Sequence, residues 1–224
     1  CDRIKIMGIR AVPEGDEYDR DIVAAIRYAV DNGAKVINMS FGKYISPYRK
    51  QVRKAVRYAL RKDVLLVMAA GNNSLNIDSI PIYPSVEKRK GKRFGNMVVV
   101  GATDRRGRVC RFSNYGSRAV DLFAPGMDIL STAPGGKYGK GEGTSISAPM
   151  VAGVAGLMRT IRPDLTAVQI RDILLASVRE LGDVETSLPG DDRVTVRTGD
   201  LCLSHGMLDA RAALKMLEKR KIVR

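Results

Sequence analysis

The chain of 224 residues is long enough for one ordinary domain or two small ones, and it can bury a core without disulfide support. Hydrophobic residues make up 45% and charged residues 28%, which excludes wholesale disorder, and no apolar run approaches the roughly 18 residues of a membrane helix. Lysine and arginine (38) outnumber aspartate and glutamate (24), and the formal charge of +14 favours anionic partners without constraining the fold.

The predicted elements alternate between short apolar runs and helices. Strands are predicted over 4–9, 36–39, 64–69, 97–102 and 120–124, and helices over 19–32, 47–62, from Ser145 onward, 167–177 and 208–218. Residues 74–96 are predicted as a loop and 183–200 as a small hairpin. Strands separated by helices of this length indicate βαβ units, right-handed crossovers and a parallel sheet. The simplest account is one α/β domain over residues 1–224, because no repeat or clear linker interrupts the chain.

Cysteine usage and the first residues bear on the compartment. Cys1, Cys110 and Cys202 are few and widely separated, which argues against a disulfide framework and against C-x-x-C metal binding. Residues 1–5 lack the apolar stretch of a signal peptide. The sequence therefore predicts either a protein that is not exported or one whose leader has been removed.

A serine is predicted where a turn enters the buried central helix. Residues 143–149 read Gly-Thr-Ser-Ile-Ser-Ala-Pro and place Ser145 after the glycine. The start of a helix favours developing negative charge, which suits a nucleophile attacking a carbonyl. An ordinary N-cap serine would give the same local pattern.

Two predicted strands end in residues that are able to contact a substrate. The strand over 64–69 leads into Ala70, Gly71 and Asn72, and ligands gather at the carboxyl ends of parallel strands. The Asn72 amide could donate to an oxyanion there, although an Asn-Asn pair is more commonly a turn. The strand over 36–39 is followed by residues 40–42, so both strand ends could offer backbone groups to an extended peptide.

These segments resemble the subtilisin-like serine proteases, the subtilase family. Residues 143–153 resemble the family's serine motif, G-T-S-M-[AS]-x-P-H-V-A-G, with Ile146 and Met150 in place of the usual methionine and histidine. Residues 70–72 resemble its oxyanion-asparagine motif, and residues 36–42, 112–116, 121–126 and 206–210 resemble further family segments in the same order. The resemblance covers the C-terminal two-thirds of the catalytic domain. It implies a subtilisin-like three-layer α/β fold with a mostly parallel sheet, incomplete at its N-terminal side.

The resemblance also implies a function and site residues. It implies a serine endopeptidase that hydrolyses peptide bonds through an acyl-enzyme at Ser145, with the oxyanion held by Asn72 and the Ser145 N–H. An extended polypeptide substrate would bind between the two strand ends. The residues implied to contact it are Ser40, Phe41, Gly42, Ala69, Ala70 and Gly71.

The family's catalytic aspartate and histidine motifs, D-[ST]-G and H-G-T-H, have no counterpart in this sequence. In the family they precede the matched segments. The single histidine, His205, falls in the turn before the last helix, and Asp121 belongs to the segment 121–126. A serine hydroxyl is a weak nucleophile without a base, so we expect no useful peptidase activity from this chain alone. The alternative is a non-catalytic subtilase-like protein that binds peptides.

One predicted helix carries a strongly basic face. Its simplest interpretation is a solvated surface of an amphipathic helix, and the alternative is a binding face for nucleic acid or another polyanion. No nucleic-acid motif accompanies it and the sequence has no tryptophan for stacking, so we expect no nucleic-acid partner. The cations are Arg49, Lys50, Arg53, Lys54, Arg57, Arg61 and Lys62.

Cofactors, assembly and location follow only in part from the sequence. No cofactor is required by the implied reaction and no metal ligands are predicted; family members often bind calcium, but no acidic cluster here has calcium-ligand spacing. Without the upstream strands, sheet edge and apolar surface would be exposed, so we expect self-association. Export is usual in the family, which implies a secreted or periplasmic protein.

Overall fold

A computed structural model describes residues 3–12, 15–89 and 92–219. The helices are α1 (Asp19–Asp31), α2 (Arg49–Arg61), α3 (Thr144–Ile161), α4 (Ala167–Ala176) and α5 (Ala210–Lys219). The strands are β1 (Val36–Met39), β2 (Leu65–Ala69), β3 (Glu87–Arg89), β4 (Lys92–Arg93), β5 (Met97–Thr103), β6 (Leu122–Pro125), β7 (Ile129–Ala133), β8 (Lys137–Gly141), β9 (Arg179–Glu180), β10 (Glu185–Leu188), β11 (Asp191–Arg197) and β12 (Gly206–Met207).

A six-stranded sheet lies at the centre, in the order β1-β2-β5-β6-β12-β9. The pairings from β1 through β12 are parallel, and only β9 is antiparallel to its neighbour. The prediction of a mostly parallel α/β sheet is therefore confirmed. Because β1, β2, β5 and β6 are parallel neighbours, their carboxyl ends share one edge of the sheet.

Alternating side chains of β2 divide the apolar interior into two cores. Leu66 and Met68 face the core covered by α1 and α2, whereas Leu65 and Val67 face the core covered by α3, α4 and α5. Every residue of β2 is buried because helices cover both faces of the sheet. The residues that follow β2 are therefore held by packing on two sides.

The five predicted helices and four of the predicted strands are confirmed to within a few residues. The strand predicted over 4–9 is wrong, because residues 3–12 form neither helix nor strand and Ile6 is 94% exposed. A strand needs a neighbour for its backbone groups, and among the described residues β1 has a partner only in β2. Local apolar sequence was not sufficient to form this strand.

Short hairpins lie outside the central sheet. The hairpin predicted over 183–200 is confirmed as β10 and β11. The pair β3 and β4 falls within residues 74–96, where only a loop was predicted. The hairpin of β7 and β8 was not predicted, although the Pro134-Gly135-Gly136 turn is a recognisable hairpin signal. β9 and β12 were missed because two-residue strands carry no periodicity.

Asp121 immediately precedes β6 and is completely buried between two arginines. Its Oδ1 atom is 2.7 Å from a guanidinium nitrogen of Arg93 and 2.7 Å from one of Arg171. Its Oδ2 atom accepts a hydrogen bond from the backbone N–H of Val99 in β5. This cluster joins β4, β5 and α4 to the start of β6.

Two of the three cysteines are described, and both are free and buried. Burial raises the pKa of the Cys110 thiol to about 12 and that of Cys202 to about 11. Both side chains are therefore protonated at neutral pH and behave as small apolar groups. Cys1 lies outside the described residues, as do the last five residues of the chain.

Candidate active site

Ser145 is the second residue of α3, at the carboxyl edge of the sheet. The residue before the helix, Gly143, has a φ of +128°, which L side chains rarely adopt. Behind Ser145, buried side chains of α3 pack on β2, β5 and β6, and Ser147 donates a hydrogen bond to the carbonyl of Ala124. The start of the helix is thereby fixed, while Ser145 itself is only half-buried.

Three polar groups converge next to Gly143. A methyl group placed on Gly143 would lie 3.0 Å from Ser145 Oγ, 3.3 Å from Asn72 Nδ2 and 3.7 Å from Ser145 N. Within the described residues, neither the Asn72 amide nitrogen nor the Ser145 N–H has a hydrogen-bond acceptor. One hydroxyl and two free donors therefore surround one point that is open to an incoming group.

Thr144 determines which way the Asn72 amide faces. The Asn72 Oδ1 atom accepts hydrogen bonds from both the backbone N–H and the hydroxyl of Thr144, each at 2.9 Å. The Thr144 hydroxyl in turn accepts from the N–H of Gly71 at 3.0 Å. Because the amide oxygen is occupied, the NH₂ group of Asn72 is the part directed toward Ser145.

Asn114 supports the segment that carries Asn72. Its buried side chain donates to the carbonyl of Ala70 and to the hydroxyl of Tyr44, and it accepts from the N–H groups of Asn73 and Leu75. All four hydrogen-bonding positions of this amide are thus used. One side chain joins the end of β2, the loop after Asn72 and the segment after β1.

Replacing Asn114 by alanine is expected to lower kcat roughly 10- to 100-fold in a competent subtilase that contains this chain, because Asn72 would no longer be held in place. Combining it with Asn72→Leu tests the reason, since two changes that act through one group are non-additive. We expect little further loss of kcat in the double variant. Multiplied losses would contradict this role. Asn32→Ala, an exposed asparagine after α1, is the control.

The two strand ends differ in the backbone groups that they leave free. Ala70 and Gly71 already use both their N–H and carbonyl groups, in bonds with Val100, Asn114 and the Thr144 hydroxyl. The backbone groups of residues 40–42 have no hydrogen-bond partner within the described part of the chain. Free backbone for an extended peptide is therefore found at 40–42 and not at 70–71.

Side chains at the two strand ends contact Ser145 or pack between the strand ends and the core. The Ser40 hydroxyl accepts from the Asn38 amide and donates to the carbonyl of Ser145 at 2.8 Å. Ala69 faces the α3 side and Ala70 the α2 side, and Phe41 packs against the α2-side core. Ile82 lies between the strand ends, because methyl groups placed on Gly42 and Gly71 would be 2.7 and 3.2 Å from its Cδ1 atom.

The segment after residue 42 is anchored by Asp19 at the start of α1. The buried Asp19 carboxylate accepts from Ser46, from the N–H of Tyr48 and from Lys43, whose ammonium lies 2.9 Å away. Burial raises the pKa of Asp19, but the bonds from Lys43, Tyr48 and Ser46 together outweigh it and hold the pKa below its ordinary value. This anchor fixes residues 43–48 between β1 and α2.

His205 lies at the opposite edge of the sheet from Ser145. It precedes β12, which is parallel to β6, and nearby Leu203 bonds to Val120 just before β6 begins. The loop that leads into Ser145 lies beside the other end of β6, because the N–H of Gly143 donates to the carbonyl of Gly126, just after β6 ends. His205 is exposed, and its Nδ1 atom is 3.0 Å from the carbonyl of Gly199. It therefore cannot reach the Ser145 hydroxyl in this structure.

Comparison with known proteins identifies the family. The family model described as "Subtilase family" matches residues 1–199, so the chain belongs to the subtilases, a family of serine proteases. The resemblance seen in the sequence and the expected α/β fold are confirmed. Among the described residues, no helix is long and apolar enough to cross a membrane, and no three His, Cys, Asp or Glu side chains are grouped to hold a metal ion.

Individual relatives agree with this assignment. The chain is 39% identical over 155 residues to the thermophilic serine proteinase of Bacillus sp. (strain AK1), covering 69% of this chain and 35% of that protein. It is 35% identical over 191 residues to subtilisin BL of Lederbergia lenta, covering 85% and 64%. The structure of the prenylagaramide maturation protease PagA matches with a TM-score of 0.73 and 28% identity, covering 92% of this chain and 70% of that one. The chain thus spans about one-third to two-thirds of these curated relatives.

The sequence predicted Ser145 and Asn72 as site residues, and in the structure both lie beside Gly143. It missed Thr144, Asn114, Tyr44 and Ile82, which position or adjoin them. Thr144 could have been found because it lies within the serine motif. Asn114, Tyr44 and Ile82 are distant from Asn72 in sequence, and no local pattern marks their contacts.

Proposed function

We propose that this chain forms the nucleophile and oxyanion-binding part of a serine endopeptidase. The observation that carries the proposal is the convergence of Ser145 Oγ, the Asn72 amide and the Ser145 N–H on the space beside Gly143. A carbonyl carbon approaching Ser145 would place its oxygen near two unoccupied donors. Such donors stabilise the negative charge that develops when a tetrahedral intermediate forms.

Turnover also needs a base to remove the Ser145 proton. The one histidine of this sequence lies at the other edge of the sheet, so we propose that the base and its aspartate are supplied by sequence outside these 224 residues. The chain alone would then retain only oxyanion stabilisation and substrate binding. In subtilisin, a member of this family, those contributions are worth about 10³–10⁴ over water, far below useful turnover.

The proposed substrate is a polypeptide bound in an extended conformation. Residues 40–42 supply free backbone groups, as an added strand requires, and Gly71, which is only partly buried, faces them, with Ala69 and Ala70 buried behind it. A hydrogen bond from the Ser40 hydroxyl to the Ser145 carbonyl connects residues 40–42 to the nucleophile. The reaction needs no cofactor, and a secreted or periplasmic location is proposed on family grounds alone.

A fluorophosphonate probe tests the proposal, because it labels only a serine that is activated as a nucleophile. The protein to be treated contains this chain together with the family's aspartate and histidine motifs, and mass spectrometry locates the label. We expect labelling at Ser145, none in Ser145→Ala, and none in the 224-residue chain alone. Ser147, a buried serine of the same helix, is the internal control. An unlabelled but folded protein would contradict the proposal and favour the non-catalytic peptide binder.

We further propose that the 224-residue chain self-associates. The exposed side chains of Ile4, Ile6 and Met7 and the outer edge of β1 offer apolar surface and backbone groups to a second copy. Light scattering over a concentration series should show mass increasing with concentration. A monomeric mass at the highest concentration would refute it.

A further inference from the structure

Helix α2 presents a strongly basic face. The helix contains six cations and no carboxylate, Lys62 follows it, and Arg27 of α1 adjoins it. Within the described residues, none of these eight side chains forms an ion pair. The α2 basic face, as we call these side chains, therefore carries charge that no ion pair within the described residues neutralises.

The cations of α2 are arranged in rows. Arg49, Arg53, Arg57 and Arg61 recur every four residues, which places them on one side of the helix in steps of about 6 Å over about 18 Å. Lys50 and Lys54 form a second row beside them. Like charges at this spacing repel one another and destabilise the helix. An anionic partner with a similar repeat would relieve this repulsion.

At the far end of the rows lies a surface pocket of about 310 Å³. It is lined by Arg27, Lys54, Arg57, Tyr58 and Arg61. The Tyr58 ring is covered by cations, with the guanidinium carbons of Arg27 and Arg61 at 5.4 and 5.8 Å from its centre and the Lys62 ammonium at 5.9 Å. The Tyr58 hydroxyl donates to Asp31, whose single carboxylate adjoins this group of cations.

The chemistry of this face favours carboxylates on an extended polypeptide. Alternate residues of an extended chain are about 6.6–6.8 Å apart, close to the step between the arginines, and guanidinium groups bind carboxylates through two parallel hydrogen bonds. Single-stranded nucleic acid is held by phosphate contacts together with stacking of its bases on aromatic rings. Cations already cover the Tyr58 ring, so it offers no such platform.

The rows of cations begin close to residues 40–42, where the substrate is proposed to bind. Arg49 follows Gly42 by seven residues, through the segment that Asp19 anchors. Because β1 and β2 are parallel, α2 runs back from the carboxyl edge of the sheet, and its arginines lead away from residues 40–42. A polypeptide substrate that extends beyond residues 40–42 can therefore continue along α2.

From these observations we infer that the α2 basic face binds an acidic, extended segment of the polypeptide substrate, outside the cleft where cleavage is proposed. This inference deepens the proposed function and rests on it only in treating the bound polypeptide as a substrate. The binding itself depends only on α2 and Arg27. It can therefore be measured in a chain that cannot cleave.

The test uses the 224-residue chain carrying Ser145→Ala and the fluorescence anisotropy of a labelled peptide of alternating glutamate and serine. We expect binding that weakens with added salt, and none for the same peptide with glutamine in place of glutamate. The variant Arg53→Gln/Arg57→Gln/Arg61→Gln should bind about tenfold more weakly. Glutamine keeps the helix propensity, so this variant is expected to fold.

A control with the same loss of net charge is Arg105→Gln/Arg106→Gln/Lys215→Gln, whose side chains are exposed elsewhere on the surface. It should bind the acidic peptide like the parent chain. An equal loss in the control, equal binding of the glutamine peptide, or tighter binding of single-stranded DNA would each overturn the inference. Failure of probe labelling at Ser145 would instead affect only the proposed catalysis, since this binding assay requires no cleavage.

Discussion

Replacing Asn72 by leucine is expected to lower kcat by about 10²–10³ in a competent subtilase that contains this chain, with KM almost unchanged. Leucine has a similar volume but donates no hydrogen bond, so one of the two donors beside Ser145 is lost. The magnitude is the one measured for loss of a single oxyanion donor in a subtilisin. The loss belongs to kcat because the oxygen becomes an anion only as the intermediate forms.

The neighbouring asparagine is the matched control for this experiment. Asn73 is exposed and accepts a hydrogen bond from Tyr44, but no contact joins its side chain to Ser145. We expect Asn73→Leu to change kcat by less than about tenfold, because both donors beside Ser145 remain. Equal losses in the two variants, or an effect on KM alone, would show that Asn72 does not stabilise the oxyanion. Urea unfolding of each variant separates a lost donor from a lost fold.

Replacing Asp121 by asparagine is expected to reduce the free energy of unfolding by about 3–5 kcal/mol, as removal of one partner from a buried ion pair does. The change keeps the shape of the side chain but leaves the Arg93 and Arg171 guanidinium groups together without their carboxylate. Both arginine side chains are largely buried, so water can compensate only in part. Urea denaturation in the Ser145→Ala background measures the loss without self-cleavage.

Asp191→Asn provides the comparison on the surface. Asp191 also pairs with an arginine, Arg193, but the arginine side chain is 89% exposed. Water screens such a pair, so we expect no measurable change in the urea midpoint. A small effect at Asp121, similar to that at Asp191, would mean that solvent reaches the buried cluster or that the fold rearranges around it.

Most of the fold could be predicted from local sequence because its helices and central strands carry strong periodicity. β2 and β5 are continuous apolar runs, as strands covered on both faces must be, and the spacing of Ile22, Ile26 and Ala29 indicates one buried face of α1. The prediction for residues 4–9 failed because strand formation depends on a neighbour as well as on composition. Apolar residues there predict the tendency to pair and not the partner.

The site was predictable only in its central pair. Ser145 and Asn72 were singled out because one is predicted at the start of a helix and the other just after the end of a strand, where ligands gather in parallel sheets. The groups that orient the pair could not be predicted in the same way. Asn114 accepts a hydrogen bond from the N–H of Asn73, which is 41 residues away in sequence. Ser40 donates to the carbonyl of Ser145, which is 105 residues away. Such contacts arise from the tertiary fold.

Gly143 shows that an empty position can be a requirement of a site. Any side chain there would begin at the point where Ser145 Oγ and the Asn72 amide converge, and it would also need a backbone angle that favours glycine. Alanine at this position would thus act as a permanently attached competitor, occupying the place of an incoming group. Residue 143 is therefore expected to tolerate no side chain, because the backbone angle and the incoming group both exclude a Cβ atom there.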